Sequence, residues 1–231
     1  MSSIISQPTS EVSYNQGLFF VFSAGVLWST VGISIRLIED ASVWQILLYR
    51  SLALSTFLYF VIRFRSGENP FVQVRRSGLP AALAGLALVA AYSGGIYSIK
   101  VIPVANALLL FATAPFMAAV LGWIVLRERV RYTTWIAILV AIGSIMIMVS
   151  GQTSNGALDG TLAALGSAFG FALFTIGLRW GRSEEMLPAV FLSGVFAIVI
   201  ASIICLIMGL PFVLSPGDVS ISISMGVFQV G

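Results

Sequence analysis

Long apolar runs separated by short polar segments dominate the sequence. Each complete run is close to the ~20 residues that an α-helix needs to cross the hydrocarbon core of a bilayer. The pattern therefore predicts seven spanning helices and the first part of an eighth, after a polar segment, residues 1–16, that predicts a flexible tail. The predicted spans are 17–38, 43–62, 79–99, 103–126, 132–150, 160–178, 188–208 and 219–231.

The apolar pattern of the first part of the chain recurs, incompletely, in the second part. The recurring segments are Pro70-Phe71-Val72 with Pro211-Phe212-Val213, Gly85 with Gly226, and Ser23-Ala24 with Ser167-Ala168. The first copy, residues 17–150, holds five spans, and an odd number of crossings places the second copy, residues 160–231, upside down in the bilayer. The sequence thus predicts an all-α, polytopic membrane bundle of two inverted five-helix repeats. The second repeat is incomplete, so that about eight of ten helices are present.

The composition excludes a water-soluble fold. Hydrophobic residues make up 58% of the chain and charged residues 9%, against about 25% charged residues in a soluble domain. The net charge of +3 comes from basic residues scattered in short loops, so nucleic acid is not an expected partner. The single cysteine, Cys205, excludes a disulfide within the chain, and the absence of histidine removes the commonest metal ligand and general base.

Basic residues concentrate in alternate loops and thereby predict the orientation of the chain. One set of loops contains Arg63, Arg65, Arg75, Arg76, Arg127, Arg129, Arg131, Arg179 and Arg182. The opposite set contains Lys100, Arg36, Glu39, Asp40, Asp159 and Asp218. Because cytoplasmic loops carry the excess of Lys and Arg, the N-terminus is predicted to be cytoplasmic. Trp44, Trp123, Trp135 and Trp180 lie at span ends, as expected for the aromatic belts at the membrane surface.

Two residues inside the spans are candidates for a substrate cavity. Trp28 lies near the midpoint of the first span, either as a packing residue or as an aromatic cavity wall near the midplane. Arg50 lies about 10 Å into the second span at 1.5 Å per residue, and a charge at that depth is a functional hypothesis. Alternatively, Arg50 extends outward and pairs with Glu39 or Asp40 as a structural anchor.

Polar stripes on the third and fourth spans supply further candidates. Ser93, Tyr97 and Lys100 share one helical face, and Asn106 and Thr113 share another, with Pro115 just beyond. Two stripes on consecutive helices predict one shared cavity, although hydroxyl groups in membrane helices also bond to the backbone or join helices. The spacings Gly166-x-x-x-Gly170 and Ala81-x-x-x-Gly85 permit close approach of helices and carry no information about a substrate.

The sequence contains no phosphate-binding loop, metal cluster or nucleophile–base arrangement, so neither an enzyme nor a cofactor is predicted. The carboxylates fall in loops or tails, apart from Glu128 at the cytoplasmic end of the fourth span. A buried acid for proton coupling is therefore not expected.

Several segments resemble the drug/metabolite transporter superfamily, EamA type. They are Ala24-Gly25-Val26-Leu27-Trp28-Ser29, Leu48-Tyr49-Arg50-Ser51-Leu52-Ala53, Ala114-Pro115-Phe116 and Leu126-Arg127-Glu128-Arg129-Val130. Ser29 and Arg127 stand where the family has glycine. The resemblance extends from Gly17 onward and implies a ten-helix carrier of small metabolites in the plasma (inner) membrane. It also implies a C-terminally truncated chain, lacking about sixty residues of the second repeat, that would be unstable and inactive when isolated.

The leading hypothesis is a secondary transporter of small organic solutes, a permease or exporter that works by alternating access. Its expected partners are a small-molecule solute and the lipid bilayer. The sequence leaves open whether the chain forms a homodimer. A non-transporting membrane scaffold or subunit is the main alternative. A membrane-embedded enzyme acting on a lipid-linked substrate is the weaker one, because histidine and intramembrane carboxylates are missing from the sequence.

Overall fold

The computed structural model describes residues 14–150, 156–181 and 186–230, and all regular structure within these ranges is helical. The helices are α1 Tyr14–Ser29, α2 Val31–Leu37, α3 Val43–Ser66, α4 Pro70–Val101, α5 Val104–Phe111, α6 Ala114–Val125, α7 Tyr132–Ser150, α8 Ala157–Trp180, α9 Leu187–Ile207 and α10 Pro216–Met225, followed by a π-helical segment Gly226–Val230. The predicted all-α fold is confirmed. Most of the predicted tail lies outside the described residues, and α1 already begins at Tyr14.

Within the described ranges, seven segments are long and apolar enough to cross a membrane. They are Gln16–Leu37, Val43–Ser66, Pro70–Val101, Val104–Val125, Tyr132–Ser150, Ala157–Trp180 and Leu187–Ile207. The seven complete spans predicted from the sequence are therefore confirmed as helices. Helices α1 and α2 together form the first span, α5 and α6 form the fourth, and α10 with the π-helical segment corresponds to the predicted partial eighth.

Local signals in the sequence fix where helices begin and end. Helix α3 begins with a capping box in which the Ser42 hydroxyl accepts from the Gln45 backbone N–H and the Gln45 side chain accepts from the Ser42 N–H. It ends at Gly67, whose φ of 67° suits glycine at a helix C-terminus. Helix α4 begins with Pro70 in its first turn and with the Asn69 side chain accepting from the Phe71 N–H.

Helix α4 is interrupted near its start. Gly78 has φ 64° and ψ −155°, and Pro80 follows two residues later. A conformation with positive φ is open to glycine and costly for other residues. The interruption separates residues 70–77 from the membrane-spanning part, which explains why the apolar run predicted a span that begins only at residue 79.

Helix α4 lies at the centre of the bundle, where it packs along α8 and α9. Its backbone touches the backbone of α8 because glycine occupies the contact on each helix. A Cβ at Gly94 would lie 2.7 Å from the Ala163 carbonyl oxygen, and a Cβ at Gly170 would lie 2.8 Å from that of Ala87. The apolar core is built around this contact.

Glycines make a reciprocal pair of contacts between the two halves of the chain. Gly85 of α4 lies against the backbone of α9 near Ser193, and Gly226, after α10, lies against the backbone of α3 near Leu54. Inverted repeats would produce such an exchange. The recurrence of Pro-Phe-Val does not extend to local structure, because Pro70 starts a helix whereas Pro211 precedes α10. The two-repeat organisation stays a prediction.

At the predicted outer end of the bundle, four side chains donate hydrogen bonds to carbonyl oxygens of other segments; we call this set the outer network. Arg36 bonds Ile102, Lys100 bonds Ala41, Gln45 bonds Pro211 and Tyr49 bonds Phe212. The first and last of these bonds are 2.7 Å and 2.6 Å long. The outer network joins the α2–α3 and α4–α5 connections and ties α3 to the connection between α9 and α10.

Candidate functional site

A cavity of about 400 Å³ lies within the membrane-spanning part of the bundle. Its wall is formed by side chains from α1 to α6, from α8 and from the π-helical segment. Three of the predicted site residues, Trp28, Arg50 and Pro115, lie on this wall. A pocket of this volume is in the range that holds a small organic molecule.

Both discontinuous spans reach the cavity at their breaks. Between α1 and α2, the Ser29 hydroxyl donates to the Val26 carbonyl at 2.7 Å and the Thr30 hydroxyl donates to that of Leu27 at 2.6 Å. Hydroxyl groups that bond to the preceding turn in this way compete with the helix ladder. Trp28 and Val31, on either side of the break, line the cavity.

The break between α5 and α6 has a different cause. Pro115 carries no backbone N–H and so cannot bond to the carbonyl of Phe111, the last residue of α5. The Thr113 hydroxyl donates to the Leu110 carbonyl at 2.6 Å. Phe111 and Pro115, on either side of this break, face the cavity.

Arg50 is buried, with 7% of its surface exposed. Its guanidinium carbon lies 4.3 Å from the centre of the Tyr92 ring, in cation–π geometry. The ion pairs formed by described residues are Glu68–Arg76 and Glu128–Arg179, so the structure does not show the predicted outward pairing with Glu39 or Asp40. Arg50 faces inward because its guanidinium packs against Tyr92 on the cavity wall.

Tyr97, Asn106 and Thr113 do not lie on the cavity wall. Helix α4 turns another face inward: Tyr92, Gly95, Ile96 and Ile99 line the cavity. Tyr97 is 39% exposed, beside this stripe rather than in it. Asn106 is partly buried near the start of α5, and the Thr113 hydroxyl is engaged by the backbone within its own span. The predicted convergence of two polar stripes therefore does not occur here.

Three polar residues that line the cavity, Tyr92, Ser167 and Gln229, are not among the candidates predicted from the sequence. Ser167 donates to the Ala91 carbonyl at 2.6 Å and so joins α8 to α4. Its recurrence with Ser23 was a signal, but of a repeat rather than of a site. Tyr92 is adjacent to Ser93, so choosing the other face of α4 would have found it. Gln229 is the only amide side chain in the last apolar segment, 219–231.

An acidic side chain is buried against expectation. Asp218, in the first turn of α10, is 6% exposed, and its Oδ2 atom has no hydrogen-bond partner among the described residues. Its position close to the predicted start of the eighth span led to its assignment as a loop residue. The described residues hold no group of three or more Cys, Asp or Glu side chains arranged to bind a metal ion.

The loop after α6, at the predicted inner end, combines strain with charge. Arg127 has φ 55°, a left-handed conformation that residues with a Cβ adopt at a cost. Next to it, Glu128 accepts from Arg179 at 2.6 Å, which joins this loop to the end of α8. Trp123 and Trp135 form an edge-to-face pair beside the loop.

Comparisons with known proteins agree with this architecture. The EamA-like transporter family matches residues 15–150. One solved structure, titled only as the crystal structure of a protein, superposes with a TM-score of 0.67 at 16% identity and covers 94% of this chain and 77% of that chain. At that identity the likeness shows a shared fold. No curated protein matches the sequence.

Proposed function

Because the chain belongs to the EamA-like transporter family, a family of membrane transporters, we propose that it is a secondary transporter of small organic solutes. In this proposal, the protein spans the plasma (inner) membrane many times, has a cytoplasmic N-terminus and works by alternating access. The cavity of about 400 Å³ is the solute site.

The observation that carries the proposal is that the cavity lies at the breaks of two discontinuous spans. Transporters commonly form their sites near the membrane midplane from interrupted helices of this kind. Here Trp28 lies just before one break and Pro115 just after the other, and both line the cavity. A scaffold has no need of a solute-sized cavity, and no feature of the described residues favours that alternative.

Alternating access requires that the two ends of the bundle open in turn. The outer network supplies bonds that would hold the outer end shut in one state. Two of its four bonds run from α3 to the connection between α9 and α10, so their breakage would release a contact between the two halves of the chain at the outer end. The inner end carries the exposed ion pair Glu128–Arg179 as a corresponding contact.

The proposal is tested by flux in liposomes that contain the purified protein, with a panel of labelled carboxylic acids, amino acids, nucleosides and amines. Ala112 lies on the cavity wall, and its Trp variant fills part of the cavity. Ala105, which is exposed in the first turn of α5 and does not line the cavity, provides the matched control. We expect Ala112→Trp to abolish counterflow of the transported solute and Ala105→Trp to retain it, at equal amounts of folded protein.

Equal flux through both variants would refute the assignment of the cavity as the solute path. Absence of flux for every solute, together with a partner protein that stays bound through purification, would favour the scaffold alternative.

A further inference from the structure

The cavity contains a positive charge without a counter-charge. Of the described residues on its wall, Arg50 alone is charged. The residue is more than nine-tenths buried, and its Nε–H group has no acceptor in the described part of the chain. An arginine side chain stays protonated and presents N–H donors in a planar fork that matches a carboxylate. A buried charge in this condition is stabilised by an anion that enters the cavity.

Tyr92 positions this charge without neutralising it. The guanidinium carbon lies over the ring, 4.3 Å from its centre. The ring is held in turn by packing against the apolar core residues of α4, α8 and α9. Because a cation–π contact attracts the charge but supplies no carboxylate or carbonyl acceptor, the N–H groups of Arg50 still require acceptors from a ligand.

Gln229 provides a hydrogen-bond acceptor on the same wall. Its Nε2 atom lies 3.0 Å from the Thr30 hydroxyl oxygen and 3.3 Å from that of Ser34. The Thr30 hydroxyl donates its own proton to the Leu27 carbonyl. Its oxygen must therefore accept from the amide, so the NH₂ end of the Gln229 side chain is the end that faces Thr30. The Gln229 Oε1 atom is left buried and without a donor among the described residues.

The rest of the wall is apolar and aromatic. Trp28 and Phe171 lie edge to face with their centroids 6.5 Å apart, and Phe111 and Ile96 add further apolar surface. Such a wall favours the body of a ligand that is itself apolar, since burial of apolar surface stabilises by roughly 25 cal/mol per Å².

From these features we propose that the cavity selects monocarboxylates with an apolar, ring-sized body and a hydrogen-bond donor beside the carboxylate. Arg50 binds the carboxylate, Gln229 accepts from the neighbouring hydroxyl or amino group, and Trp28 with Phe171 contacts the body. This assignment rests on the proposed function for its biological meaning, but it is a statement about binding and is tested as such.

The first experiment compares three ligands that share one body and differ in charge: phenylpropanoate, phenylpropanol and phenylpropylamine. Binding to the purified protein is measured by calorimetry at equilibrium, without a membrane gradient. A hydrogen-bonded charge pair predicts that the wild-type protein binds the carboxylate about 10- to 100-fold more tightly than the alcohol, and the amine more weakly still. Equal or tighter binding of the amine or the alcohol would overturn the proposal.

Variants then assign the preference to Arg50. Arg50→Gln should bind the acid and the alcohol alike, whereas Arg50→Lys should keep a weaker preference for the acid because the charge remains without the fork. Arg75→Gln, an exposed arginine in the α3–α4 region, is the matched control and should behave as wild type. An undiminished preference for the acid in Arg50→Gln would refute the assignment. If this variant does not fold, the three-ligand comparison on the wild-type protein still decides.

A second pair of ligands tests Gln229. Phenyllactate adds one hydroxyl group beside the carboxylate of phenylpropanoate and should bind about 2- to 10-fold more tightly to the wild-type protein. In Gln229→Leu the two acids should bind equally, each serving as the internal reference for the other. If phenyllactate and phenylpropanoate bound the wild-type protein equally tightly, the role proposed for Gln229 would be refuted.

Binding and flux separate this inference from the proposed function. Tight binding of phenylpropanoate with no flux of any solute would leave the anion site standing and refute transport. Flux of amines, with carboxylates neither bound nor carried, would leave transport standing and refute the anion site.

Discussion

The backbone contact between α4 and α8 makes one residue of the Gly166-x-x-x-Gly170 motif sensitive to substitution and the other insensitive. A Cβ at Gly170 would lie 2.8 Å from the Ala87 carbonyl oxygen and 3.0 Å from the Ala91 nitrogen, whereas a Cβ at Gly166 would meet nothing within 4 Å. Ordinary van der Waals contact begins near 3.4 Å. In Gly170→Ala the two helices must therefore separate by about 0.6 Å, and overpacking of this kind costs about 1–3 kcal/mol.

Gly166→Ala is the control because both glycines lie within α8. Replacing glycine by alanine in a helix gains up to about 1 kcal/mol of helix propensity, and this gain is common to the two variants. The difference between them then reports the contact with α4 alone. We expect Gly170→Ala to have a free energy of unfolding about 1–3 kcal/mol lower than that of Gly166→Ala.

The free energies are measured by titration of the detergent-solubilised protein with a denaturing detergent, followed by circular dichroism. Gly170→Ala should also weaken ligand binding, because Ser167, one turn away, joins α8 to α4 on the cavity wall. Two variants of equal stability would show that α4 and α8 are not in backbone contact, and the position of the cavity between them would then be wrong.

Two further predictions follow from the loops. Arg127→Gly should raise the free energy of unfolding by about 1 kcal/mol, because glycine adopts the φ of 55° without strain; Arg129→Gly, which removes the same charge, should not, and equal effects would refute the strain. Single cysteines at Ser66 and Val213 should react with a membrane-impermeant thiol reagent only from inside and only from outside the cell, respectively, with little background from the buried Cys205. Reaction of both from one side would overturn the orientation.

The number and positions of the spans could be predicted because run length alone decides them. A helix in a bilayer must satisfy its backbone internally and must be about 20 residues long, so the apolar run from residue 132 to 150 corresponds directly to helix Tyr132–Ser150. Charge in the loops adds a predicted orientation on the same simple physical basis.

The cavity could be predicted only in part. When a span is apolar on all its faces, its sequence does not indicate which face is turned toward the cavity. On α4 the polar residues Ser93 and Tyr97 suggested one face, but packing against α8 is set by Gly94, and this turns Tyr92 toward the cavity. Glycine contacts of this kind depend on the partner helix, which the sequence of α4 alone does not contain.

Long-range partners were the other limit. The environment of Arg50 depends on Tyr92, more than forty residues away, and the orientation of Gln229 depends on Thr30 near the other end of the chain. Depth in the span identified Arg50 as a candidate, but only the packing of α3 against α4 distinguishes an inward charge from an outward anchor.

In the outer network, only the donor of each hydrogen bond depends on the identity of a side chain. Each of its four bonds runs from a particular side chain to a main-chain carbonyl oxygen, and every amino acid supplies such an oxygen. Over evolutionary time, the accepting positions Ala41, Ile102, Pro211 and Phe212 are therefore free to change as long as the backbone keeps its path. The donors are not free in this way, so selection on this contact should act on one partner of each pair and leave no correlated substitutions between the loops that it joins.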